Sequence, residues 1–107
     1  MIGWERVGRV DDIPLYEGRS AKIDGHRIAV FRTAAGFFAL DAHCPHAGGP
    51  LGDGIVAEGC VTCPLHGWRF DLRSGARAEG LGVAVHETAE RGGEVFVRLA
   101  VAEPRAA

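Results

Sequence analysis

Two short stretches constrain this chain more than anything else in it. Residues 44–54 read CPHAGGPLGDG and residues 63–68 read CPLHGW, with 16 residues between His46 and Cys63. Each carries one cysteine followed closely by one histidine, spaced C-x-H in the first and C-x2-H in the second. Glycine and proline fill much of the rest, which marks both as loops. Cys44, His46, Cys63 and His66 are therefore the candidate metal ligands. Zinc fingers usually pair cysteine with cysteine on one arm and histidine with histidine on the other. Here each loop is mixed.

The frame around these loops reads as all-β. SAKI, then Asp24-Gly25, then HRIAVF is a strand, a tight turn and a strand. Thr33 to Gly36 is a second turn, followed by a strand over residues 37–42. CVTC is short and β-prone, and residues 73–75 form another turn. VAVHET and EVFVRLA read as a closing hairpin joined by AERGG, and the tail EPRAA as frayed. Turn signals recur about every ten residues, which suggests a small antiparallel sandwich or barrel. A chain of 107 residues is expected to be one domain, 1–107, with a loop-rich subdomain at about 42–71. No apolar run approaches the roughly 20 residues that span a bilayer, and no signal pattern opens the chain. The expectation is a cytoplasmic protein with no membrane association. A net charge of -2 leaves no electrostatic footprint for nucleic acid. Three cysteines without a secretory signal argue against a disulfide framework.

Thiolates are soft ligands for iron–sulfur clusters and zinc, and imidazole suits zinc and iron. If each loop gives its cysteine to one iron and its histidine to the other, the two loops clamp a two-iron cluster in which two histidines replace two cysteines. A rival set is available. Cys60-Val-Thr-Cys63 is a C-x-x-C, and Cys44, Cys60, Cys63 and His66 would make a Cys3His zinc site in a structural module. The bland reading of Cys60 is a buried strand thiol. His26 and His86 read as structural, and His43 as solvated.

CPHAGGPL-DG and CPLHGWRFDL-SG, with the strands before them, resemble the cluster-binding boxes of the Rieske [2Fe-2S] family over roughly residues 4 to 100. The resemblance implies an antiparallel β domain with one cluster, its inner iron held by Cys44 and Cys63 and its outer iron by His46 and His66. Glycines 48, 49 and 67 would then let the backbone approach the cluster sulfides. High-potential members carry a disulfide at the positions of Gly49 and Leu65, and hydroxyls at those of Trp68 and Phe70. Their lack here implies a low-potential soluble carrier. Many relatives also cover the cluster with a proline-containing third loop, whereas the segment around Leu81 has none. A cluster with no open iron position moves single electrons and is not a catalyst alone. The resemblance extends to the small subunit of assimilatory NAD(P)H nitrite reductase and to the ferredoxins of aromatic-ring-hydroxylating dioxygenases. Either implies redox partners, a flavin-containing reductase and a terminal reductase or oxygenase.

Overall fold

The computed structural model describes residues 3–45, 48–65, 67–77, 80 and 82–100. Among the described residues nine strands run in chain order: β1 Trp4–Arg9, β2 Gly18–Ile23, β3 His26–Thr33, β4 Gly36–Asp41, β5 Ile55–Ala57, β6 Cys60–Thr62, β7 Arg69–Asp71, β8 Val85–Arg91 and β9 Glu94–Arg98. Two 3-10 turns, Val10–Asp12 and Leu51–Asp53, complete the described elements. Six strands form one antiparallel sheet in the order β1-β9-β8-β4-β3-β2, curled into a nearly closed barrel. The other three form a small sheet, β5-β6-β7, inserted between β4 and β8.

The turns follow local chemistry. Asp24 and Gly25 sit at φ +50° and +80° between β2 and β3, the two left-handed residues of a type I′ hairpin whose twist matches its strands. Gly92 and Gly93 do the same between β8 and β9. The expected AERGG connection is therefore shorter, because Ala89, Glu90 and Arg91 continue β8 and pair with Phe96, Val95 and Glu94. Three strands were not anticipated. β1 pairs with β9 along the sheet edge, while β5 and β7 flank CVTC inside the segment read as loops. At three residues each, β5 and β7 are too short for alternation to show.

β3 explains the architecture. Its IAVF run is buried on both faces. Ile28 and Val30 join Ile13, Ile23, Ala39, Val95 and Val97 in one apolar patch. Ala29 and Phe31 point the other way, into a second patch with Leu40, Leu51, Val61, Phe70 and Leu72. Successive side chains of a strand face opposite sides, so a continuous apolar run implies that both sides are covered. The small sheet supplies the second cover. The 3-10 turn Leu51–Asp53 packs close to β2 and β3 through small residues: a Cβ on Gly18 would lie 2.7 Å from the Phe31 ring and 2.9 Å from the Gly52 carbonyl.

Candidate metal centre

The first Cys/His stretch is the tip of a hairpin. Leu51 N–H donates to the Ala42 carbonyl at 2.8 Å, His43 bridges Pro50, and Cys44 N–H donates to the Gly49 carbonyl at 2.9 Å. The Cys44 carbonyl accepts from Gly48 N–H at 2.8 Å. The second stretch repeats this pattern between β6 and β7. Cys63 N–H donates to the Trp68 carbonyl at 2.7 Å, and the Cys63 carbonyl accepts from Gly67 N–H at 3.1 Å. In each loop the residue four past the cysteine is a left-handed glycine, Gly48 at φ +70° and Gly67 at +78°. A Cβ at either would meet no protein atom within 4 Å. The left-handed φ by itself favours glycine at both positions. Gly49 is closely approached by the protein itself: a Cβ there would lie 2.6 Å from Cys63 Sγ and 3.1 Å from Leu65 Cγ. Positions 49 and 65 therefore abut across the two loops.

Cys44 and Cys63 are 1% and 2% exposed and belong to the same apolar patch. Trp68 is half-buried against that patch, and Phe70 lies wholly within it. His46 and His66, the other two candidate ligands, lie outside the described residues, as does Leu81. Two buried thiols on twin loops in an otherwise apolar setting suit an iron–sulfur centre.

Cys60 does not join them. Val61 between Cys60 and Thr62 points into the core, and Cys60 lies half-buried beside Arg69. The Arg69 guanidinium is held above its ordinary range, first by its hydrogen bond to Glu58 at 3.1 Å and then by Cys60. Among the described residues, the one group of three ligand-type side chains that converges is His26, Asp41 and His86. Cys44, Cys60 and Cys63 therefore do not assemble the zinc set.

The convergence at Asp41 had no sequence signal, because its members come from β3, β4 and β8. Asp41 Oδ1 lies 2.9 Å from His26 Nε2 and 2.8 Å from His86 Nε2. Ala100 N–H donates to His86 Nδ1 at 2.9 Å. That nitrogen is therefore an acceptor, so His86 Nε2 carries the proton and donates to Asp41. A metal at Nε2 would need that proton on Nδ1, where Ala100 N–H already points. The group is a hydrogen-bonded knot rather than a metal site. Burial alone would raise the Asp41 carboxyl, but the hydrogen bonds from His26 and His86 outweigh it and hold it below the ordinary range.

Residues 3–86 match the model of the Rieske [2Fe-2S] domain, and the chain belongs to that family. It accordingly carries one Rieske-type [2Fe-2S] cluster. It is similar to the anthranilate 1,2-dioxygenase ferredoxin subunit of Burkholderia cepacia, 39% identical over 74 residues, or 68% of each chain. Among solved structures it resembles the ferredoxin of carbazole 1,9a-dioxygenase from Nocardioides aromaticivorans IC177, with a TM-score of 0.84 and 28% identity over 89% of this chain and 96% of that one. A chain assigned as the NADH-dependent nitrite reductase small subunit of Mycobacterium tuberculosis also gives a TM-score of 0.84, with 25% identity over 92% and 96%. Other relatives are far longer: the chain spans 15% of a cholesterol 7-desaturase of Ciona intestinalis, 47% identical over 73 residues.

Proposed function

We propose that Cys44 and Cys63 hold one iron of the cluster and His46 and His66 the other. In this reading the protein is a low-potential carrier of single electrons within a multicomponent oxidoreductase, as the cytoplasmic small subunit of an NAD(P)H nitrite reductase. The observation that carries the ligand assignment is the twin hairpin tips, which bury both cysteines in one patch and set Gly49 against Cys63 Sγ. When bound, the cluster supplies one-electron redox chemistry. The chain's own residues fix its surroundings. Each cysteine is locked on both sides by backbone hydrogen bonds to its own loop, so the ligands are held in place. Leu65 fills the space beside Gly49, and neither Trp68 nor Phe70 offers a hydroxyl donor. With the donors that raise a Rieske potential missing, the value falls near the low end of that range, about -150 mV.

Leu65 is 61% exposed, and Pro64 beside it on the second loop and Pro45 and Gly48 on the first are exposed as well. With His46, His66, Pro50 and Trp68, these residues form the proposed docking face. Transient redox interfaces are small, often below about 1,200 Å² in total, so one charged residue there should matter.

A second reading, the ferredoxin of an aromatic-ring-hydroxylating dioxygenase, is favoured by the 39% identity to a ferredoxin subunit of that kind. Reconstitution separates the two. The reduced protein is mixed with a sirohaem nitrite reductase or with a ring-hydroxylating oxygenase, and reoxidation of its visible spectrum is followed. Rapid reoxidation by the reductase alone supports the first reading. Reoxidation by the oxygenase alone replaces it with the second.

A further inference from the structure

The segment after β7 closes on itself through a narrow neck. Asp71 Oδ1 accepts from Arg73 and Ser74 N–H at 2.8 and 2.9 Å, turning the chain. Gly75 N–H donates to the Asp71 carbonyl at 2.7 Å, and Val83 N–H donates to the Gly75 carbonyl at 2.8 Å. The neck leaves no space for side chains: a Cβ on Gly75 would strike the Val83 carbonyl, and one on Gly82 the Gly75 carbonyl. From this loop Arg77 reaches over Trp68, with its guanidinium carbon 3.3 Å from the ring centroid. Trp68 in turn packs on the patch that holds Cys44 and Cys63, and its carbonyl caps Cys63 N–H. Arg77 is half-buried, and among the described residues no carboxylate pairs with it.

We propose that Arg77 is a positioning residue for the cluster: stacked on Trp68, it covers the indole that walls the second loop and places a fixed positive charge there that favours the reduced cluster. The inference rests on the ligand reading above. Reduction adds one negative charge at the centre, and a nearby cation in a partly desolvated site stabilises that charge. Guanidinium suits the role because it stacks on indole and spreads its positive charge over a planar face. Arg77, held beside the Gly75–Val83 neck, thus covers Trp68 on this side.

The test is a mediated redox titration of the cluster-loaded protein, with the electrode as electron source. Arg77→Gln should lower the equilibrium constant for reduction about threefold to tenfold, tenfold being about 59 mV for a one-electron couple. Arg77→Met, which keeps apolar cover but no charge, should lower it as much, and Arg77→Lys should restore most of it. Arg6→Gln on β1, the same charge change among strands that do not carry the cysteines, should leave it unmoved. In a Trp4→Phe background, Trp68 fluorescence should become more open to acrylamide in Arg77→Gln than in Arg77→Met. An unchanged potential in Arg77→Gln, or an equal shift in Arg6→Gln, overturns the proposal. A colourless, iron-free wild type would instead overturn the cluster reading beneath it.

Discussion

At the scale of single residues, the glycines of the first loop are separable by experiment. Gly49→Ala places a methyl 2.6 Å from Cys63 Sγ, closer than any packed core tolerates. We expect that variant to lose most of its iron and its visible absorption. Gly48→Ala meets no protein atom within 4 Å and adds the cost of a left-handed alanine, on the order of 1–2 kcal/mol. It should keep the cluster at reduced stability. Iron content of the two purified variants decides the matter, and equal loss would mean that conformation, not contact, rules at both positions. The candidate ligands were legible because chemistry forces unusual residues into fixed spacings. What the sequence could not show was which glycine serves which purpose, since that depends on a contact between loops 14 residues apart at Gly49 and Cys63. Cys60 was ambiguous for the same reason: C-x-x-C spacing does not reveal which way each side chain faces. Cys60→Ser should leave iron content and colour unchanged, whereas Ala at Cys44 or Cys63 should abolish both.

At the scale of elements, the hairpins built on Asp24-Gly25 and Gly92-Gly93 were readable because a two-residue turn with left-handed φ demands those residue types. The strands β5 and β7 were not readable. They exist because the small sheet packs around Val56, Val61 and Phe70, and only tertiary packing makes strands of segments so short. The neck of the loop after β7 is likewise a tertiary feature. Gly75 is at φ +73° and its Cβ would meet the Val83 backbone, so Gly75→Ala should open the neck and release Arg77 from Trp68. A cost of roughly 2–4 kcal/mol is expected from strain and lost backbone bonds. Chemical denaturation should show a clearly lower midpoint, and a wild-type midpoint would mean the neck is not closed in solution. On the docking face, Leu65→Glu should slow reoxidation by the partner about tenfold while leaving colour and iron content intact. An unaltered rate would place docking elsewhere.

At the scale of the whole molecule, one carboxylate knots the six-stranded sheet where the chain leaves it for the first Cys/His loop. Asp41 ends β4, three residues before Cys44, and gathers His26 from β3 and His86 from β8, while His86 holds Ala100 beyond β9. Because the folded protein depresses the Asp41 carboxyl, its contribution is fully present above the ordinary value of 3.8 and is lost as pH falls through the lower folded value. Asp41→Ala should cost about 1–3 kcal/mol at neutral pH by leaving the buried His86 N–H without its acceptor. Denaturation midpoints compared from pH 7 down to pH 3 should show that gap narrowing. A gap independent of pH would remove Asp41 ionisation from the account. The central claim concerns the cluster ligands, and pulsed EPR of the chemically reduced protein tests it most directly. Two imidazole nitrogens coupled to the unpaired electron are predicted, one from His46 and one from His66, with one coupling lost in each single histidine-to-cysteine variant. A reduced cluster with no coupled imidazole nitrogen, or a protein with no paramagnetic centre at all, would contradict it.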